Sequence, residues 1–214
     1  MTWQQRWRRG RASCHEPGAA GLFRSPRLAR ALTCLLLAVC AASAQAGAPQ
    51  PPLALPRDAA VSAGFSPDGG ALALVLQAIG QAHRSIDVAA YLLTSSEVAR
   101  ALVQAQRRGV QVRVLLDAKA DTVEDARYAR HALGILVNAG IAVRSIDAYP
   151  LFHDKYMIID HRTVQTGSFN YTYSAAQRNA ENVLVVWNAP QLAARYQADW
   201  EHNWALGRAV QLPY

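Results

Sequence analysis

The 214-residue chain carries 22 Lys and Arg against 15 Asp and Glu, a formal net charge of +7, and three cysteines. Seven of those arginines, one of the glutamates and all three cysteines (Cys14, Cys34, Cys40) fall within residues 1–46, so the remainder has a net charge of +1 and no cysteine. That remainder has no disulfide partner and no thiolate metal site, and the high isoelectric point is no argument for nucleic-acid binding.

Arg24, Arg27 and Arg30 lead into a stretch without charge, Ala31 to Ala44, centred on Leu35, Leu36, Leu37 and Val39. Ala44-Gln45-Ala46 then places small residues two apart, ahead of Gly47. A basic lead, a short apolar run and an A-x-A site predict a signal peptide over residues 1–46, with export to the periplasm or medium. The apolar run is shorter than the roughly 20 residues that span a bilayer, which favours cleavage over an anchor. Residues 47–60, with Pro49, Pro51, Pro52 and Pro56, read as an extended lead-in.

From residue 61 onward the pattern is regular and long enough for one domain with a real core. Val61 to Phe65 reads as a strand closed by the turn Pro67-Asp68-Gly69-Gly70, and Ala71 to Ala82 has helical spacing of Leu72, Val75, Leu76 and Ile79. Ser85 to Leu92 is a buried-strand candidate. Glu97 to Arg108 is a helix stopped by Gly109, its basic end suiting the helix dipole. Val110 to Leu116 is a strand, about Asp125 to Asn138 a helix stopped by Gly140, and Ile141 to Ser145 strand-like. Tyr156 to Ile159 and Thr163 to Thr166 flank the hairpin turn Asp160-His161-Arg162. Asn182 to Trp187 is a further strand, and Gln191 to Leu206 an amphipathic helix with Trp200 and Trp204. The alternation predicts an α/β domain, an α/β/α sandwich whose sheet is mixed because the second half abandons strict alternation.

The chemistry concentrates between Leu151 and Asn182, which holds His153, Lys155, Asp160, Gly167, Ser168 and Asn170. On a strand, His153 and Lys155 face the same side. The returning hairpin strand then delivers Gly167 to Asn170 beside them. Lysine can neutralise a non-bridging phosphate oxygen, and Ser168 and the Asn170 amide can donate to the same oxygens. Gly167 allows close backbone approach. A short helix within Tyr171 to Gln177 would add N–H groups that favour an anion. A neutral imidazole can attack phosphorus in line and form a phosphohistidine, and Glu181 is a candidate acceptor for its second nitrogen.

The spacing H-x-K-x4-D-x6-G-S-x-N resembles the HKD motif of the phospholipase D superfamily. With one HKD motif per chain, the protein resembles the small bacterial endonucleases of that superfamily from about Phe65-Ser66-Pro67 to the Trp200 helix. The resemblance implies a metal-independent phosphodiesterase with His153 as nucleophile, Lys155 and Asn170 as phosphate ligands and Ser168 assisting. Glu181 matches the carboxylate that orients the histidine, and Asp160 the motif aspartate. The substrate implied is nucleic acid, with phospholipid head groups of phosphatidylcholine or cardiolipin type as the alternative. A single motif leaves the leaving-group acid to a second copy, hence a homodimer with a composite active site.

Blander readings stand beside these. Asp160 before a turn can serve only to accept turn hydrogen bonds. Glu181 can pair with Arg178. His161 reads as solvated, His83 and His131 as helix-end or solvent-facing groups, and His202 as a packing residue beside Trp204. Tyr171 and Tyr173 can stack on a base, line a lipid channel or belong to the core. No His, Asp or Glu group has metal-ligand spacing, so no metal or cofactor is expected, and Asp121, Glu124 and Asp125 read as a solvated acidic loop. The intact motif opposes a non-catalytic phosphate-binding module.

Overall fold

The computed structural model describes residues 51–119 and 126–211, so the expected signal peptide and the acidic loop at Asp121, Glu124 and Asp125 lie outside the described residues. In chain order the elements are β1 (Ala60–Ser66), α1 (Gly70–Gly80), β2 (Ser85–Ala90), α2 (Ser96–Arg107), β3 (Gln111–Asp117), α3 (Ala126–Asn138), β4 (Ala142–Ile146), β5 (Lys155–Ile159), β6 (Thr163–Gly167), α4 (Tyr173–Gln177), β7 (Glu181–Trp187), α5 (Pro190–Leu206) and β8 (Arg208–Ala209). Each predicted element is present within two residues of its expected ends. The addition is β8, whose two residues are too few to show a period. The chain leaves α2 through Gly109 at φ +92°, a left-handed conformation that favours glycine.

One eight-stranded sheet runs in the order β1-β7-β6-β5-β2-β3-β4-β8. β2, β3 and β4 are parallel, as helix crossovers require, and the remaining pairings are antiparallel. The sheet is mixed, as expected. Ile86, Val88, Val112, Val114, Met157 and Val183 bury one face against apolar positions of α1, α2, α3 and α4. Ala89, Leu115, Ile158 and Val164 pack on the other face with Ala193 and Trp200 of α5. The result is the α/β/α sandwich.

α5 is held by more than apolar area. Trp200 is fully buried and its Nε1–H donates to the carbonyl of Val88 at 3.1 Å. The Arg113 guanidinium lies 4.2 Å from the centre of the Trp200 ring and makes two hydrogen bonds to Asp87, at 2.7 and 2.9 Å. Asp87 is 1% exposed, a burial tolerable for a charge only when it is paired in this way. Burial works against the Arg113 charge, but bonds to Asp87 and Glu201 outweigh it and raise the pKa.

α2 ends on Arg107 and Arg108 as expected, and the Arg108 Nη2 also serves α1, donating to the carbonyls of Ile79 (3.1 Å) and Gly80 (3.3 Å) at that helix's end. One expectation needs correction. His202 is exposed rather than packed, because α5 turns Trp200 and Ala193 to the sheet and His202 away.

At one end of β5, Asp160 and His161 take positive φ (53° and 54°) in the predicted hairpin turn, a conformation aspartate tolerates. The Asp160 carboxylate accepts the backbone N–H groups of His83 (2.9 Å), Arg84 (2.6 Å) and Ser85 (3.0 Å), clamping the entry to β2. Burial alone would raise its pKa, and the three donors outweigh burial and hold it below the ordinary carboxylate value. Asp160→Ala is expected to cost about 1–2 kcal/mol in a urea titration at neutral pH. Because the folded pKa is depressed, that contribution is complete above the unfolded value of about 3.9 and fades as pH falls through the folded one. Wild type and variant should therefore converge in acid.

Candidate active site

The opposite edge of the sheet gathers the chemical groups, and strand register explains why. Pairing Ala90 with Lys155, Tyr156 with Thr166, Gly167 with Val183 and Ser66 with Glu181 brings five strand ends to one line.

His153 stands just before β5 and is exposed, between buried Phe152 and half-buried Asp154. Its loop is pinned by Asp117, whose carboxylate accepts the Phe152 N–H at 2.6 Å and the Lys119 N–H at 2.7 Å. Past it, the Tyr91 N–H donates to the Asp154 carbonyl at 2.7 Å, extending the β2–β5 ladder. The Tyr91 ring stacks at a tilt on the His153 imidazole, with centroids 4.6 Å apart, and lies 5.1 Å from the Lys155 Nζ. One aromatic ring therefore positions both the imidazole and the ammonium.

Lys155 is 8% exposed, and its Nζ donates to the His153 carbonyl at 2.8 Å. Burial lowers its pKa, against the opposing pull of Asp154 and Glu181. The ammonium is thus poorly solvated, the state in which it gains most from an incoming phosphate anion.

β6 ends at Gly167, where a Cβ would lie 2.2 Å from the Asn182 carbonyl oxygen, so glycine permits the close approach that Ser168 needs. Ser168 Oγ donates to Glu181 Oε2 at 2.6 Å and accepts the Asn182 N–H at 3.1 Å. The second oxygen of Glu181 accepts from Asn179 Nδ2 at 3.0 Å. Both carboxylate oxygens are thereby engaged, and among the described residues none of Glu181's hydrogen bonds reaches His153. Its charge still acts on Lys155. The alternative Glu181–Arg178 pair is absent too, since Arg178 lies against Tyr173.

Asn170 follows the fully buried Phe169, and its Oδ1 is buried without a hydrogen-bond partner, an unsatisfied polar atom of the kind that marks functional sites. The next residue, Tyr171, donates its N–H to the Leu92 carbonyl at 3.0 Å, which ties this loop to the Tyr91 strand. Tyr171 itself is core, its hydroxyl bonded to Gln165 at 2.7 Å. The short helix α4 starts at Tyr173 and Thr172 Oγ1 accepts the Ala175 N–H, so its amino end is already capped rather than turned to an anion. Asp160 is not with the others: it lies at the far end of β5.

A cleft of about 390 Å³ opens from His153, Lys155 and Gly167 toward the α5 face, where Asp154, Arg195, Tyr196 and Asp199 line it. Burial first, then the charge of Asp199, raises the pKa of Asp154. Tyr91, Asp117 and Arg195 carry no motif, and sequence reading passed over them. Only the position of Tyr91 at the end of a wholly buried strand could have flagged it.

A family model described as "Cardiolipin synthase, PLD-like domain" matches residues 75–204. The chain is 39% identical over 155 residues to a phospholipase D of Rickettsia prowazekii, covering 70% of each protein. It is 34% identical over 131 residues to the mitochondrial cardiolipin hydrolase of Xenopus laevis, covering 61% of this chain and 59% of that one. Its fold is similar to the crystal structure of Nuc, a phospholipase D family member from Salmonella typhimurium. The TM-score is 0.70 at 39% identity, covering 72% of this chain and 100% of Nuc.

Removing the buried ammonium separates function from stability. Lys155→Met is expected to hold or raise the melting temperature, because a desolvated charge is gone, while phosphodiester hydrolysis falls by about 10²–10³-fold. Parallel melting curves and rates would check both halves.

Proposed function

The chain belongs to the phospholipase D superfamily and is a phosphodiesterase, and from that premise we propose that it cleaves nucleic acid through a phosphohistidine on His153. The observation that carries the reading is the meeting of His153, Lys155 and Ser168 at one sheet edge, above a cleft walled by charged and polar groups. An acyl chain would gain little in such a cleft, whereas a phosphate with its sugars remains hydrogen-bonded there.

A neutral His153 attacks phosphorus as the bond to the leaving oxygen breaks. Lys155, Ser168 and the Asn170 amide bind the non-bridging oxygens, where negative charge grows. Tyr91 holds the imidazole in line. Glu181 is a positioning residue that acts through Ser168. The leaving alkoxide takes its proton from His153 of the partner subunit in a homodimer, because this chain has a single HKD motif. The resulting neutral imidazole then deprotonates water, which attacks the phosphohistidine, frees His153 and completes hydrolysis.

Phospholipid head-group hydrolysis is the second reading. It is favoured by an apolar strip on the cleft side of the sheet, where Val61, Phe65 and Leu184 are 56%, 63% and 37% exposed, and by the similarity to a cardiolipin hydrolase.

Plasmid DNA incubated with purified protein in excess EDTA should be degraded by wild type and spared by His153→Ala. The rate should be bell-shaped in pH, since one imidazole must be neutral and the other charged. Intact DNA with both proteins, alongside cardiolipin hydrolysis by the wild type, would shift the assignment to lipid. We also propose export after cleavage behind Ala46. The amino terminus of the protein recovered from the periplasm should then read Gly47, and a full-length chain there would refute cleavage.

A further inference from the structure

A second concavity, about 620 Å³, lies on the helical face between α2, α3 and α4, away from α5. Two tyrosines at its rims are among the most exposed large side chains described, Tyr173 at 64% and Tyr128 at 52%. Each has an arginine beside it: the Arg178 guanidinium carbon is 5.6 Å from the Tyr173 ring centre, and that of Arg127 is 5.2 Å from Tyr128. Ser95 and Ser96 line the concavity, and Arg100 donates to Ser96 Oγ at 2.9 Å. Against Arg100, Arg127 and Arg178 stands Glu97 among the described residues of this region.

The groove is built from segments that continue directly from the catalytic edge. Its floor begins at Thr94, three residues beyond the Tyr91 that supports His153, and Tyr173 comes three residues after Asn170. The N–H groups of Thr94 and Ser95 both donate to the Tyr171 carbonyl, at 3.0 and 2.9 Å, locking the two loops together. A narrower cavity of about 120 Å³ is lined by Thr94, which also lines the groove, and by Tyr91 and Asp117, which support the His153 loop. Three extended residues reach about 10 Å, so a ligand bound at the phosphate site extends into the groove within a short length.

We propose that this groove holds unpaired nucleotides flanking the scissile phosphate, with Tyr173 and Tyr128 stacking on bases and Arg178 and Arg127 meeting phosphates. The proposal rests on the nucleic-acid reading and adds a strand preference to it. Alternating aromatic faces and cations is how proteins hold single strands without reading sequence. A duplex hides its base faces in its own stack and has nothing to offer the two rings. An acyl chain would strip water from the serines and charges of the floor and return no hydrogen bonds.

The test compares kcat/KM for a short single-stranded oligonucleotide with kcat/KM for bis(p-nitrophenyl) phosphate, which is too small to reach the groove. It uses the full chain as wild type, Tyr173→Ala/Arg178→Ala and Tyr173→Phe. The expected result is an oligonucleotide-to-small-diester ratio that falls at least about tenfold in the double variant and stays near wild type in Tyr173→Phe. Wild type should also cleave the single strand faster than the matching duplex. A ratio unchanged by the double variant, in an enzyme that does cleave the oligonucleotide, overturns the groove and leaves the nuclease reading intact. A wild type that hydrolyses the small diester and cardiolipin vesicles but no oligonucleotide overturns both. Should the double variant lose the small-diester activity through misfolding, Tyr173→Ala alone is scored by the same ratio.

Discussion

Antiparallel pairing of β5, with β2 on one side and β6 on the other, decides where every catalytic group ends up. Because β5 runs against both neighbours, its first residue meets the ends of β2 and β6, and β7 returns to the same line. His153, Lys155, Ser168 and Glu181 are thereby brought to one edge. Side chains alternate along a strand, so a slip of one residue would turn His153 and Lys155 onto the α5 face and Asp154 onto the helical one. The clamp of Asp160 on residues 83–85 acts at the other end of that pairing and holds the register from there. The motif aspartate thus serves the site from a strand's length away.

The edge is costly to fold. It holds a buried lysine with a lowered pKa, an unsatisfied Asn170 oxygen and a raised-pKa Asp154. Preorganised polar groups of this kind stabilise a charged transition state because they need no rearrangement when it forms, and the folded protein bears the strain throughout. Offsetting interactions lie in the α5 layer, where Trp200 is fully buried and the Asp87–Arg113 pair sits beneath it. A stack with Trp204, 4.7 Å between ring centres, broadens that anchor.

The two sides of the site differ in character. Toward α5 the cleft is lined by Asp154, Arg195, Tyr196 and Asp199, beside an uncovered apolar strip on β1 and β7. α5 covers the strands around β5 and leaves that strip bare. Toward α2 and α4 lies the groove of tyrosines and arginines. A polymer crossing the edge can use both sides at once, which a small head group cannot.

The local pattern was enough for most of the architecture. Alternation announced β3, turn residues closed β1 and the β5–β6 hairpin, Gly109 ended α2, and the resemblance of the His153-to-Asn170 spacing to a family motif singled out His153, Lys155, Ser168 and Asn170. These features were legible because they depend on residues a few positions apart, where backbone geometry links sequence to shape directly. Tertiary structure alone decided that Tyr91 lies against both His153 and Lys155, that Asp117 pins the His153 loop from 35 residues away, and that Arg108 serves α1. It also engaged both oxygens of Glu181 with Ser168 and Asn179, and set the Asp160 carboxylate on the backbone N–H groups of residues 83–85. Such partnerships cross between strands and helices, and their geometry follows from register and layer packing, which no short stretch of sequence encodes.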